Sequence, residues 1–262
     1  MRHVNVHLAV ASLALAGSLT AAGARADETR DIRKVLPLDG NGALSVENYK
    51  GSITVRAGTA AEASVEARIV PDGDDDASLR RARETEVHID GGGRSVSVTA
   101  TQPKSHAGWF NFGGDGSLPF VHITIKMPAT ASLTIQDYKS DTKLAGLKAD
   151  LKIRTYKGTV AVQDQDGAVD LETYKGEVSI AFAALAKPVT LETYKGDIRL
   201  RLPSSAGFEL DADLGRRGDF DTQFEMATRS GGMHDRVHGT INGGGPKVSF
   251  ETDKGSLRIE KQ

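Results

Sequence analysis

The chain contains no cysteine. That single absence excludes disulfide staples, thiolate metal sites, thiol nucleophiles and a lipid-attachment cysteine. A secreted domain of this kind has to be held by its own core. Tryptophan occurs once, and aromatic residues are only 5% of the 262 residues. Neither charge sign dominates: 33 basic residues face 35 acidic ones, a net charge of −2, which argues against nucleic acid as the main partner. Beyond the N-terminus no apolar run approaches the roughly 20 residues of a transmembrane helix. Signatures of catalysis are missing as well. There is no HExxH, no G-x-S-x-G elbow and no P-loop. The glycine triplets at 91–93 and 243–245 precede strands, not the helix that a phosphate cradle requires. No pair of carboxylates stands out as a glycosidase couple. His234 and His238 lie four apart in a Gly-rich stretch without a helix signal, and the DGDDD run at 72–76 lacks the spaced ligands of a calcium loop. No catalytic residue, metal ligand or cofactor is therefore expected.

What is present begins with the first 26 residues. Arg2 precedes an uncharged run from Leu8 to Leu19, and Ala24-Arg25-Ala26 is a small-x-small site followed by Asp27 and Glu28. That order predicts a secretory signal peptide cleaved after Ala26 and an exported mature domain, residues 27–262, in the periplasm or outside the cell.

Within that domain one pattern recurs seven times, at 44–55, 133–144, 151–162, 169–180, 189–200, 211–222 and 248–259. LETYKGEVSI (171–180) and LETYKGDIRL (191–200) show it best. Counting from the glycine as zero, with Ser140 in its place in the second copy, position −1 is always basic: Lys50, Lys139, Lys157, Lys175, Lys195, Arg217 and Lys254. Position −2 holds all five tyrosines of the chain: Tyr49, Tyr138, Tyr156, Tyr174 and Tyr194. Positions −7, −5, +2 and +4 are almost all apolar, and in the sixth copy the apolar residues are displaced to Leu210 and Leu214.

Spacing of two within each arm is a strand period. The odd spacing between −5 and +2 forces a turn at Tyr-Lys-Gly, where glycine admits a positive φ. Intervals of 18, 18 and 20 residues from Ser140 through Gly158 and Gly176 to Gly196 mark stacked supersecondary units. The parity fits a stack of two-residue hairpins or a β-solenoid with rungs of about 18–20 residues. Identical corners favour the solenoid, because stacking turns equal positions into ladders. The expected class is all-β, with 121–262 as the main repeat stack.

The strand–x-x-x-G–strand copies after a signal peptide, and the ending INGGGPKVSFETDKGSLRI, resemble the bacterial "putative adhesin" family of β-strand-repeat proteins, a toastrack-like domain of unknown function. The resemblance implies an extracytoplasmic all-β domain without established catalytic residues.

Residues 31–100 read as N-terminal strands around a short helix near 76–86, its start favoured by the preceding acids. Residues 101–120 form a Gly-rich aromatic interruption in which Trp109, Phe110 and Phe112 are a candidate partner loop or a cap on the stack. The candidate ligand-binding row is Tyr138, Lys139, Tyr156, Lys157, Tyr174, Lys175, Tyr194 and Lys195. Its tyrosines stabilise stacked rungs, and its regular cations suit a repeating anionic polymer such as an envelope polysaccharide. The function expected is an envelope binding, adhesion or scaffold module contacting a polysaccharide or a protein. A polysaccharide-active enzyme on a solenoid and an envelope-stress sensing domain are the alternatives.

Overall fold

The computed structural model describes residues 29–102, 118–228 and 236–262. The signal segment, Trp109, Phe110, Phe112 and His234 lie outside the described residues. The elements in chain order are β1 (Arg30–Gly58), β2 (Glu62–Val70), α1 (Asp76–Glu84), β3 (Glu86–Thr101), β4 (Phe120–Pro128), β5 (Ser132–Ala145), β6 (Leu151–Gln165), β7 (Val169–Phe182), β8 (Val189–Thr193), β9 (Asp197–Leu202), β10 (Phe208–Asp213), β11 (Asp219–Thr222), β12 (Met226–Thr228), β13 (Arg236–Ile241), β14 (Lys247–Thr252) and β15 (Ser256–Lys261).

Each copy pairs with its neighbours in parallel and in register. Leu151 faces Leu133 on one side and Val169 on the other, and Gly158 faces Gly176. Thr173 lies beside Thr155 and Thr193 of adjacent copies, not across a hairpin from Val178. The fold is therefore a β-solenoid, and the hairpin alternative is excluded. Equal positions become columns through the core: Leu44, Leu133, Leu151, Val169, Val189 and Val248 form one, all buried. Each such side chain contributes roughly 1.5–3 kcal/mol on burial, which is how a chain without disulfides holds together.

Alternation reverses phase at every corner. In β7 the inward residues are Val169, Leu171 and Thr173, then Tyr174 and Lys175 are both exposed, and Val178, Ile180 and Phe182 point inward again. The corner glycines differ from expectation in one respect. Gly158 has φ 118° and Gly51 has φ 134°, but Gly176 and Gly196 are not among the positive-φ residues. Stacking is what demands glycine there. A Cβ would sit 2.2 Å from the Gly158 carbonyl oxygen at Gly176, and 2.4 Å from the Gly176 oxygen at Gly196.

The spatial order of the last copies is not their chain order. β14 and β15 dock on β8 and β9, pairing Phe250 with Leu191 and Leu257 with Ile198. β10 and β11 then dock on β14 and β15, through Ala212 to Phe250 and Phe220 to Leu257. Leu210 falls over Val248 because the sixth copy's corner is one residue longer than the others. Antiparallel β13 and β12 extend the sheet beyond β10.

At the opposite end, β3 and β4 pair with the two halves of β1, Val46 facing Val98 and Ile53 facing Ile123. β2 runs antiparallel to both β1 and β4. Helix α1 starts at an N-cap, where Asp75 accepts from the Ala77 and Ser78 amides. Its far end is tied to β1 by the Arg30 guanidinium, which donates to the Arg83 carbonyl at 2.8 Å and the Thr85 carbonyl at 3.0 Å.

Candidate functional site

Because the corners are in register, the five tyrosines form one continuous ladder. Ring centroids are 4.7 Å apart for Tyr49–Tyr138, 4.8 Å for Tyr138–Tyr156, 4.7 Å for Tyr156–Tyr174 and 4.9 Å for Tyr174–Tyr194. Adjacent planes are tilted by only 7° to 9°. This is the inter-strand spacing itself. Two consequences follow. Tyr49 joins the row, although the expected row began at Tyr138. The inner ring faces cover one another, so a ligand meets ring edges and hydroxyls rather than faces.

The basic column runs alongside. Lys50, Lys139, Lys157 and Lys175 are direct register partners, and the Lys195 and Lys254 amides donate to the carbonyls of Tyr174 and Tyr194 in the rungs below. Lys50 is committed elsewhere: it pairs with Asp72 at 2.9 Å, donates to the Leu118 carbonyl and lies over the Phe120 ring. Lys157 lies 5.2 Å from the Tyr156 ring centroid. Among the described residues, Lys139, Lys157, Lys175 and Lys195 have no carboxylate partner within ion-pair distance, and the nearby Glu172 and Asp197 are engaged by Arg154 and the Ser256 hydroxyl instead.

A feature not expected from the sequence lies on the other side of the tyrosines. From the fourth copy onward, position −4 continues as a column of four acids in spatial order: Glu172, Glu192, Glu251 and, at −5 because of the longer sixth corner, Asp213. The ETYKG copies do carry its signal, a glutamate two residues before each tyrosine. The acids and Tyr156, Tyr174 and Tyr194 line an open groove of 910 Å³. Arg154 closes part of it by pairing with Glu172 and Asp170 at 2.9 Å each. The protein thus presents an acidic groove on one flank of the ladder and a cationic row on the other.

Acid–base chemistry needs carboxyls whose environments push their pKa values apart. Among the groove carboxyls, burial pushes Asp137 up while Arg236 beside Asp213 holds that carboxyl down. Asp137 is already engaged, accepting from the Ser140 amide at 2.7 Å, the Ser140 hydroxyl and the Thr155 hydroxyl at 3.2 Å. It is part of a polar column that lines the inside of the corners, in which Asn48, Thr173, Thr193 and Thr252 are buried and Asp137 and Thr155 half-buried. Among the described residues, no group of three or more His, Asp or Glu side chains is placed to hold a metal ion.

Comparison with known proteins agrees with this architecture. Residues 114–260, more than half of the chain, match the Toastrack DUF4097 family model, and the chain belongs to that family. No curated protein matches. Solved structures with a similar course include a "putative cell adhesion protein" from Clostridium sporogenes, 12% identical, covering 89% of this chain and 100% of that one at a TM-score of 0.43. A "putative adhesin" from Bacteroides fragilis is also 12% identical, covering 89% and 97% at a TM-score of 0.36. A "putative lipid binding protein" from Parabacteroides distasonis is 10% identical, covering 88% and 96% at a TM-score of 0.28.

Proposed function

We propose that this chain is an exported, non-catalytic binding module that holds a linear polyanion of the cell envelope along the Lys139–Lys157–Lys175–Lys195 row. The observation that carries the reading is that row: four register-aligned cations, one per rung at about 4.8 Å, with no carboxylate partners among the described residues. Like charges held this close repel one another and favour a counter-anion of matching repeat. The stacked tyrosines keep the rungs in register and offer ring edges and hydroxyls to the same ligand. Contacts that are weak singly add along the stack. The acidic groove on the far flank repels the polymer and so fixes the side on which it lies. Export is supported by the charged start, the apolar run from Leu8 to Leu19 and the Ala24-Arg25-Ala26 site.

The test is binding of polygalacturonate and polyphosphate, with dextran as the neutral control, by wild type and by the triple variant Lys157→Gln, Lys175→Gln, Lys195→Gln. Wild type is expected to bind both polyanions with an affinity that falls as salt rises, and the variant to bind more weakly with a flatter salt dependence. A variant that binds both as wild type does would leave the row as surface only.

A further inference from the structure

The cationic row does not end at Lys195. The next two rungs in space belong to the seventh and sixth copies, and their corners bring Lys254, Arg216 and Arg217 together around a pocket of 250 Å³. The Lys254 and Arg217 amides continue the corner ladder, donating to the carbonyls of Tyr194 and Asp253. In the sixth copy Arg216 and Arg217 stand at the two positions that Tyr-Lys holds in the earlier copies, and the extra corner residue precedes them. The corner's shape is fixed locally: Gly215 has φ 55°, its amide donates to Asp213 Oδ1 at 3.2 Å, and the Gly218 amide closes on the Leu214 carbonyl at 2.8 Å. A Cβ at Gly215 would stand 2.5 Å from the Thr252 carbonyl oxygen, so the turn cannot relax.

Arg216 and Arg217 have no ion pair among the described residues, and the one carboxylate near Lys254 is Asp253 at 3.6 Å. Three cations with one adjacent carboxylate leave an excess of positive charge at one spot. A carboxylate offers two oxygens and fills one guanidinium fork. A phosphate group offers three or more oxygens and up to about two negative charges, and satisfies two forks and an ammonium together.

We infer that Arg216, Arg217 and Lys254 form a phosphate-binding pocket at the end of the lysine row, so that the polyanion proposed above is a phosphate-bearing polymer with one phosphate seated between the two arginines. The inference rests on the row's reading for the polymer, but the pocket can be tested without it.

The experiment measures, by calorimetry at fixed ionic strength, the binding of inorganic phosphate, polyphosphate and polygalacturonate. The variants are Arg216→Gln/Arg217→Gln, the charge-preserving Arg216→Lys/Arg217→Lys, and Lys157→Gln/Lys175→Gln. Both arginines are exposed, and thermal melts check that the variants stay folded. Wild type is expected to bind polyphosphate at least tenfold more tightly than inorganic phosphate, because the row adds to the pocket. The Gln pair should lose inorganic phosphate and weaken polyphosphate at least tenfold, leaving polygalacturonate within about twofold. The Lys pair should also weaken phosphate, because an ammonium cannot supply the fork. The Lys157/Lys175 variant should keep inorganic phosphate and lose affinity for both polymers.

Failure of wild type to bind inorganic phosphate would overturn the pocket. Equal loss of both polymers in the Gln pair would overturn its selectivity for phosphate, and equal affinity for inorganic phosphate and polyphosphate would overturn the phosphate-bearing polymer and mark free phosphate as the ligand. If neither polymer binds while inorganic phosphate binds and is lost in the Gln pair, the row's reading fails and the pocket stands.

Discussion

Lys254 Nζ lies 5.1 Å from the centroid of the Tyr194 ring and donates to its hydroxyl at 3.1 Å. That contact closes the tyrosine ladder at the rung where tyrosine gives way to Asp253. The hydrogen bond to the Tyr194 hydroxyl, ahead of the nearby Asp253, holds the Lys254 ammonium above its ordinary range. The ladder is therefore a finite object with a cationic lid, and its members are not equivalent.

Inequality within the ladder gives the first prediction. Tyr156 stacks on two rings, Tyr138 and Tyr174, whereas Tyr49 stacks on Tyr138 alone. At about 0.5–1.5 kcal/mol per aromatic pair, Tyr156→Ser should cost about 1–3 kcal/mol in urea unfolding and Tyr49→Ser about half of that. Tyr156→Phe keeps both stacks and should stay close to wild type. Equal costs at the two positions would mean that the rings do not act as a ladder.

The glycine column gives the second. Gly176→Ala inserts a Cβ where the Gly158 carbonyl oxygen stands only 2.2 Å away, and backbone rather than a flexible side chain would have to give. The expected loss lies at or beyond the top of the roughly 1–3 kcal/mol of overpacking. Lys175→Ala, one residue earlier and exposed, should stay within about 0.5 kcal/mol of wild type. A Gly176→Ala protein with the wild-type melting temperature would contradict the stacked geometry.

Much of this was legible in the letters and some was not, for physical reasons. The two-residue period around Leu171 and Val178 revealed inward faces and the forced corner between them, because pleat parity is local. Parity alone does not say which strand lies next door, so hairpin and solenoid both fitted until Thr173 was found between Thr155 and Thr193. Gly176 was readable as essential, but the cause is a contact with another rung, which no local rule contains. The sixth copy looked degenerate because alignment on Gly218 hides an extra corner residue; Leu210 and Ala212 fall into register once Gly215 is allowed for. Spacing announced the lysine row, whereas the acid column emerged only when Glu251 and Asp213 were placed beside Glu192 by the reversed order of the final rungs.

A third prediction concerns pH. Burial raises the Asp137 carboxyl above its ordinary value of 3.8, against the opposing hydrogen bonds from Ser140 and Thr155. A carboxyl raised on folding contributes stability that is fully present below its unfolded pKa and is lost as pH climbs through the folded one. Asp137→Asn removes that titration. The difference in unfolding free energy, wild type minus variant, should therefore fall as pH rises from the unfolded pKa of about 4 through the raised folded one. Asp211 and Asp213, held down by Lys247 and Arg236 respectively, act in the opposite sense in both proteins and cancel in the difference. A difference that rises with pH would show that Asp137 is stabilised as the anion.

The reversed order of the last two rungs gives the fourth prediction. Among the described residues, β10 has parallel support only from β14, and β11 pairs only with β15. β13 pairs with β10, and β12 with β13. Strands β10 to β13 therefore reach the stack by pairing, among the described residues, through strands that come later in the chain. Deleting residues 246–262 should release both terminal rungs, not one. The expected result is rapid amide exchange and new protease cleavage throughout 208–241, with protection retained from β1 to β7. Were the copies stacked in chain order, the same deletion would strip one rung, and β10 would stay protected on β8. Protection of Leu210 and Ala212 in the truncated protein would overturn the order, and with it the placement of Arg216 and Arg217 beside Lys254.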